Sequence, residues 1–82
     1  MEKIANEIRD FIVREFEVEQ DEEFTDDVNL FDYGYIDSLD ATKIIMFLEE
    51  HFKIEISQKD LILYPMNSIS ELTEVVFKKV EA

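Results

Sequence analysis

The sequence predicts an all-α fold: a small four-helix bundle with three main helices, one short helix and a long loop between the first two helices. Glycine and proline each occur once, at Gly34 and Pro65, which favours helices over a sheet fold that needs many tight turns. Apolar residues also recur at helical spacing in separate segments of the chain. A chain of 82 residues has room for one modest core, so we expect a single domain over 1–82.

The first helix is predicted over about Glu2 to Phe16, and a long loop follows it. Four apolar residues of this helix fall at i, i+4, i+7 and i+8, on one helix face: Ile4, Ile8, Phe11 and Ile12. From Val18 to Ile36 the helical period fades into an acidic stretch and then into scattered apolar residues. A loop this long in a small domain is usually functional, so we expect side chains to anchor it across the bundle. The predicted anchors are Val28, Leu30, Phe31 and Tyr33.

The second helix has the clearest apolar face and the clearest start. Its apolar residues fall at i, i+3, i+4, i+7 and i+11: Ala41, Ile44, Ile45, Leu48 and Phe52. Asp37 is the predicted N-cap, and Asp40 occupies the third helical position. Both carboxylates complement the positive end of the helix dipole, which supports a helix start at this point.

Two capping boxes predict where the last two helices begin. Ser57-x-x-Asp60 opens a short third helix, which Pro65 ends. Ser68-x-x-Glu71 opens the fourth helix. The buried stripe expected on the fourth helix consists of Ile69, Leu72, Val76 and Val80, with Thr73 and Phe77 beside it.

Composition and charge exclude several classes of function. Eight Lys and Arg against 21 Asp and Glu give a net charge of −13, which repels phosphate backbones and anionic lipids. We therefore expect basic protein partners and no nucleic-acid or membrane partner. Without cysteine there is no disulfide and no thiolate metal site. The chain also shows no apolar run of membrane-spanning length and no signal-peptide pattern, so we expect a cytoplasmic protein, and we expect a monomer.

The run from Gly34 to Asp40 presents a serine at a helix start. Glycine can take the positive φ that turns the chain sharply into the helix, which leaves Ser38 at the helix N-terminus. Unpaired backbone N–H groups and partial positive charge at that end favour an anion such as a phosphate group. Asp37 and Ser38 are also common capping residues, and the local sequence taken alone favours that simpler interpretation.

The outer face of the second helix favours a functional interpretation of this serine. Leu39, Met46 and Glu50 project away from the buried face, with Lys43 between them and Phe47 near the edge. Leu39 and Met46 are two turns apart, and Met suits surfaces that repack against several partners. We interpret this face as a docking stripe beside a modified serine.

A resemblance to a known family is carried by the second helix and the segments around it. Asp37-Ser38-Leu39 opens an apolar helix that ends Phe47-Leu48-Glu49-Glu50-His51-Phe52. Together with the long loop before it, Ile54-x-Ile56 after it, and Asn67-Ser68-Ile69, this order resembles the acyl carrier protein family over nearly the whole chain. The resemblance implies a four-helix bundle and a 4'-phosphopantetheine arm, which a phosphopantetheinyl transferase moves from coenzyme A onto Ser38. An acyl or aminoacyl group then rides on the thiol of the arm as a thioester, so the protein is a carrier and not an enzyme.

The same resemblance implies which residues serve the arm and the partners. Ser38 bears the arm, and Asp37 and Leu39 match the recognition motif of the family. Met46 matches a position that partner enzymes commonly touch. The expected partners are acyl- or aminoacyl-loading and synthase enzymes with basic docking surfaces. The expected docking residues are Leu39, Asp40, Lys43, Met46, Phe47 and Glu50.

Two departures from the family's fatty-acid carriers point to a specialised branch. Those carriers usually have one residue between the glycine and the Asp-Ser pair, whereas Tyr35 and Ile36 both stand there in this chain. This spacing is more similar to D-alanyl carrier proteins and other free-standing carriers. Lys43 also stands where fatty-acid carriers commonly have Glu, and this reversed charge is expected to weaken pairing with a basic partner. The sequence leaves the cargo and the pathway, whether fatty-acid, polyketide or related, open.

Three other interpretations compete with the carrier. A serine hydrolase needs a base beside its nucleophile, but His51 is the only histidine and lies about 20 Å from Ser38 along the helix. The acidic clusters at 19–23 and 26–27 lack the spacing of a calcium loop, so we interpret them as solvated charge and expect no metal. The remaining rival is an unmodified acidic adaptor that binds basic partners through the outer face of the second helix. Such an adaptor does not require Ser38.

Overall fold

Four helices follow one another along the chain, as predicted. The structure, a computed structural model, describes residues 2–19 and 22–81. The helices are α1 (Glu2–Glu15), α2 (Ser38–Phe52), the short α3 (Gln58–Leu63) and α4 (Ile69–Glu81). Helices α1 and α4 pack along each other, and α2 makes a smaller contact with α4. Within the two described ranges no helix has the length and apolar character that crossing a membrane requires.

The core is built from the apolar faces that the helical spacing predicts. Ile8 and Ile12 of α1 and Ile44 and Leu48 of α2 are buried in one cluster with Ile69, Leu72 and Val76 of α4. The prediction for Val80 was wrong, since 53% of this residue is exposed. The core cluster ends one turn earlier, at Val76, and Val75 is buried beside it. α4 touches both α1 and α2, so its buried face is broader than a single stripe.

The long loop between α1 and α2 is anchored at both of its predicted aliphatic residues. Leu30 is fully buried and Val28 nearly so, which confirms these two anchors. The backbone N–H of Leu30 donates to the carbonyl of Asn67 at 2.8 Å, which ties the loop to the segment before α4. The prediction for Phe31 and Tyr33 was wrong, because both lie at the surface of the turn and 57% of Tyr33 is exposed. Their places in the core are taken by Phe24 and Ile36.

An ion pair with α1 and hydrogen bonds with α4 fix the middle of this loop. The guanidinium of Arg9 on α1 donates to both carboxylate oxygens of Asp26, at 2.6 to 2.9 Å. The backbone carbonyl of Asp26 accepts from the N–H of Ser70 on α4 at 2.8 Å. The Ser70 hydroxyl donates to the carboxylate of Asp27 at 2.7 Å. The loop is therefore held in one path across the bundle before it reaches α2.

The short helix α3 is fixed by Asp60. The predicted capping box is present: the N–H of Asp60 donates to the Ser57 hydroxyl at 3.2 Å, and the N–H of Ser57 donates to the Asp60 carboxylate at 2.9 Å. The same carboxylate oxygen accepts from the ammonium of Lys79 on α4 at 2.6 Å. The bond from Lys79, followed by the bonds from Ser57, lowers the pKa of Asp60 from 3.8 to about 2.

We expect Leu30→Ala to destabilise the fold by about 2–5 kcal/mol, because it leaves a cavity at a fully buried site. The matched control is Tyr33→Ala in the same turn. Its side chain is exposed, so the expected change is within about 0.5 kcal/mol. Urea unfolding of both variants measures the two free energies. Equal effects would mean that Leu30 does not anchor the loop.

We expect Asp60→Asn to lower the free energy of unfolding at neutral pH. The difference from the wild type should shrink as the pH falls. The folded-state pKa of Asp60 lies below its ordinary value, so the stability that the carboxylate contributes is present above 3.8 and is lost as the pH falls through about 2. Unfolding curves of the wild type and the variant, taken from neutral pH down to this range, measure the difference. Asp32→Asn, at an exposed carboxyl of the loop, is the control. A difference that does not change with pH would contradict the ionic role of Asp60.

Candidate functional site

A tight turn delivers the chain to the start of α2. The carbonyl of Leu30 accepts hydrogen bonds from the N–H groups of Tyr35 at 2.9 Å and Ile36 at 3.3 Å. Gly34, within this turn, has a φ of 75°, which confirms the predicted need for positive φ. Apart from the two chain neighbours of Gly34, no described residue has an atom within 4 Å of where a Cβ would stand on it. The backbone conformation, and not lack of space, therefore explains the glycine.

A complete capping box starts α2. The N–H of Asp40 donates to the carboxylate of Asp37 at 2.9 Å, and the N–H of Asp37 donates to the carboxylate of Asp40 at 3.2 Å. Asp37 has the extended backbone of an N-cap, as predicted. The two carboxylates thus accept from the N–H groups of Asp37 and Asp40, so Ser38 is not needed as the cap.

Ser38 is the first residue of α2, and its hydroxyl is free. The side chain is exposed, and in ranges 2–19 and 22–81 its hydroxyl makes no hydrogen bond. Only its carbonyl is engaged, accepting from the hydroxyl of Thr42 at 3.3 Å. The simpler interpretation, in which Ser38 and Asp37 are both capping residues, therefore holds for Asp37 alone. What remains is a serine hydroxyl presented to solvent at a helix start.

An exposed stripe runs along the outer face of α2 from this serine. It consists of Leu39, Lys43, Met46 and Glu50, which follow at i, i+4, i+7 and i+11. Leu39 is 76% exposed and Met46 is 55% exposed, as the helical spacing predicted. Lys43 makes no ion pair with any residue in the described part of the chain. We call these four residues the outer stripe.

Two of the predicted docking residues have structural roles within the protein. Phe47 is half-buried: its ring stacks on Phe11 of α1 with the centroids 3.9 Å apart, and on His51 at 4.9 Å. Asp40 is also half-buried, and its carboxylate belongs to the capping box. Only part of Phe47 and part of Asp40 are therefore open to a partner.

An apolar cavity of about 260 Å³ lies beside the start of α2. Ile36 and Ala41, which flank Ser38 in the sequence, line it together with Ile44 and Ile45 of α2. Its other side is formed by the end of α3 and the segment after it. Those lining residues are Leu61, Tyr64, Pro65, Met66 and Asn67, and Phe31 and Leu72 complete the wall. An apolar group attached near Ser38 would have this cavity within reach.

The structure gives no support to a serine hydrolase or to a metal site within the described residues. His51 lies in the last turn of α2, at the opposite end from Ser38, and its Nε2 is 3.3 Å from a carboxylate oxygen of Glu7 on α1. No group of three or more His, Cys, Asp or Glu side chains could hold a metal ion among the described residues. The acidic cluster at 19–23 lies partly outside those residues, because 20 and 21 are not described.

The sequence analysis did not predict the cavity or which residues of α3 are buried. The sequence predicted a short third helix. Leu61, Ile62 and Leu63 are exposed, and Asp60 is the one buried residue of α3. The capping box at Ser57 was visible in the sequence. The ion pair of Asp60 with Lys79 joins positions 19 residues apart, and no local pattern indicates such a contact.

Comparisons with known proteins show which family the chain resembles. The family described as "Phosphopantetheine attachment site" matches residues 6–76. An acyl carrier protein of Buchnera aphidicola subsp. Acyrthosiphon pisum, in strains Tuc7 and APS, is 33% identical over 79 residues, 96% of this chain and 95% of that protein. An acyl carrier protein from strain 5A is 38% identical over 60 residues, 73% of this chain and 74% of that protein. No solved structure matches.

Proposed function

Since the chain belongs to the acyl carrier protein family, whose members bear a 4'-phosphopantetheine prosthetic group and act as carriers, we propose that Ser38 bears this group. The observation that carries the proposal is the free, exposed hydroxyl of Ser38 at the first residue of α2. A phosphopantetheinyl transferase would recognise Asp37 and Leu39 together with Ser38. The whole of 1–82 would act as a single carrier domain.

The residues around Ser38 fit a phosphate-linked arm. The hydroxyl is neither buried nor hydrogen-bonded within the described chain, so linkage there disrupts no contact. The first helical hydrogen bond runs from Ala41 N–H to the Asp37 carbonyl at 3.0 Å. The N–H groups of Ser38 and Leu39 precede this bond and lie at the positive end of the helix dipole, which favours a phosphate. When bound, the group supplies a thiol that holds the cargo as a thioester.

The cavity beside Ser38 favours an acyl cargo over an aminoacyl cargo. Its walls are mainly aliphatic, from Ile36, Ile44, Ile45 and Met66, so a charged amine would lose much of its hydration there. A volume of about 260 Å³ lies just under the range of ordinary small-molecule pockets. It suits the apolar tail of a small acyl group.

The outer stripe is the proposed contact with loading and synthase enzymes that present basic docking surfaces. Leu39 and Met46 provide exposed apolar contact area, and Glu50 provides negative charge. The net charge of −13 attracts a basic partner over a longer range. A monomer in the cytoplasm is the form in which we propose that the carrier works.

We further propose that the protein is a specialised carrier and not the housekeeping carrier of fatty-acid synthesis. It rests on Lys43 and on the two residues between Gly34 and Asp37. Ile36 is buried and Tyr35 stacks edge-on against Phe24 at 5.1 Å, so the longer spacing is part of the packed turn. The relatives are named acyl carrier protein without a pathway, so they lend no support to a D-alanyl-like branch.

Ser38→Ala is expected to abolish modification by phosphopantetheine. Intact mass is measured after incubation of the unmodified protein with coenzyme A and a broad-specificity phosphopantetheinyl transferase. The wild type should gain one phosphopantetheine, and Ser38→Ala should gain none. The matched control is Ser57→Ala, which removes another exposed hydroxyl at a helix start and should still be modified. An unmodified wild type would overturn the proposal. The rival adaptor predicts partner binding that survives Ser38→Ala in a protein that is never modified.

Lys43→Glu is expected to speed association with a synthase partner of fatty-acid carriers several-fold at low salt, because it restores negative charge to the outer stripe. The gain should shrink as added salt screens the charges. Stopped-flow association rates measure it. Lys3→Glu on α1 makes the same change in net charge away from the stripe and is the control. Equal gains in both variants would assign the effect to net charge, and no gain would remove Lys43 as the distinguishing residue.

A further inference from the structure

A surface recess lies between α1 and α2, beside the outer stripe. Its volume of about 260 Å³ is below that of an ordinary small-molecule pocket and leaves room for one long side chain. The residues that line it are Phe11 and Glu15 of α1 and Lys43, Met46, Phe47 and Glu50 of α2. Three of the four residues from α2 belong to the outer stripe, so the recess extends that stripe onto α1.

Two contacts set how α1 and α2 face each other along this recess. The ring of Phe11 stacks on that of Phe47 with the centroids 3.9 Å apart. One turn earlier on α1, a carboxylate oxygen of Glu7 lies 3.3 Å from Nε2 of His51, one turn later on α2. The two helices are therefore antiparallel, and positions that follow Phe11 on α1 face positions that precede Phe47 on α2.

The charged residues of the recess have no partner within ranges 2–19 and 22–81. Glu15 and Lys43 face each other one turn beyond the aromatic stack, yet they form no ion pair. Glu50 lies one turn from the stack in the other direction, and its carboxylate makes no ion pair with a described residue either. Two carboxylates and one ammonium group thus surround an aromatic surface without neutralising one another.

Neither carboxylate stabilises the helix on which it lies. Glu15 is the last residue of α1, and Glu50 lies in the last turn of α2. The negative end of the helix dipole disfavours a carboxylate at both positions. Both carboxylates are therefore available to a group from outside the chain.

An arginine side chain fits the recess in size and in chemistry. The half-buried rings of Phe11 and Phe47, with Met46, offer apolar contact to its aliphatic stem. Its guanidinium is planar and weakly hydrated, so it approaches an aromatic surface more readily than the strongly hydrated ammonium of lysine. Glu15 and Glu50 supply the opposite charge, and the net charge of −13 attracts a basic surface from a distance.

We propose that the recess between α1 and α2 receives one arginine side chain of the partner enzyme. Phe11 and Glu15 thereby belong to the docking surface, and Glu15 supplies attraction at the end where Lys43 repels a cation. The proposal deepens the proposed function, because it adds α1 to the contact with a basic docking surface and names the side chain that the partner presents.

A minimal arginine probe tests the recess in the unmodified protein. Amide chemical shifts are followed by NMR at low salt while N-acetylarginine amide is added. The lysine counterpart N-acetyllysine amide and the neutral N-acetylcitrulline amide are the matched probes. The arginine probe should shift the amides of the lining residues most, the lysine probe should bind more weakly, and the neutral probe should leave these amides unshifted.

Charge variants at the recess should change the affinity for the arginine probe in opposite directions. Glu15→Gln should weaken binding about two- to fivefold, and Lys43→Gln should strengthen it by a similar factor. Glu74→Gln on α4 and Lys59→Gln on α3 are the controls, because they make the same changes in net charge at exposed positions that do not line the recess. Both controls should change the affinity little.

Several outcomes of the probe experiment would overturn the recess as an arginine site. They are the absence of shifts at the lining residues, shifts spread equally over all acidic residues, equal binding of the three probes, and equal effects of Glu15→Gln and Glu74→Gln. The last outcome would assign the binding to net charge alone.

A partner enzyme tests whether docking uses the recess. The dissociation constant of the complex with a synthase partner of fatty-acid carriers should rise several-fold in Glu15→Gln and stay unchanged in Glu74→Gln. An unchanged constant in Glu15→Gln would overturn the role of α1 in docking. A wild type that accepts no phosphopantetheine would contradict the proposed function, whereas the arginine site stands or falls on the probe and the unmodified protein.

Discussion

The capping box between Asp37 and Asp40 determines where α2 begins, and the candidate site depends on that position. Each carboxylate accepts the backbone N–H of the other residue, so the first turn of the helix is closed without help from Ser38. A serine at a helix start would otherwise tend to fold its hydroxyl back onto the backbone. Because two aspartates cap the helix, the serine hydroxyl stays in solvent at the first position of a rigid helix. Presentation of the hydroxyl is thus a consequence of helix capping.

The turn before α2 and the packing behind it give the site a rigid base. The buried side chain of Leu30 and its bond to the Asn67 carbonyl link the turn to the segment before α4, and the Leu30 carbonyl holds the amides of Tyr35 and Ile36. On the opposite side of the cavity, Met66 after α3 packs against the core, and Lys79 of α4 pairs with the Asp60 carboxylate. Both sides of the cavity therefore contact the apolar core, and an ion pair adds to the side that α3 forms.

The parts predicted from the sequence are those that depend on local spacing. The start of α2 with Asp37 as N-cap, the capping box at Ser57, the positive φ of Gly34 and the exposure of Leu39 and Met46 all follow from helix geometry and backbone chemistry. Burial within the loop could not be predicted in this way, because aromatic rings such as Phe31 and Tyr33 occur both in cores and on surfaces, and tertiary packing decides between them. The cavity and the bond from Lys79 to Asp60 join distant segments, so they required the structure.

The uncovered apolar face of α3 also bears on how copies of this protein behave toward each other. Leu61, Ile62 and Leu63 are consecutive and exposed, and such a surface ordinarily promotes self-association. Each copy carries a net charge of −13, so two copies repel before their α3 helices can meet. The excess of acidic residues thus opposes self-association, in addition to the attraction of basic partners that we propose for it. This repulsion keeps copies of the protein apart, although each copy exposes Leu61, Ile62 and Leu63 to solvent.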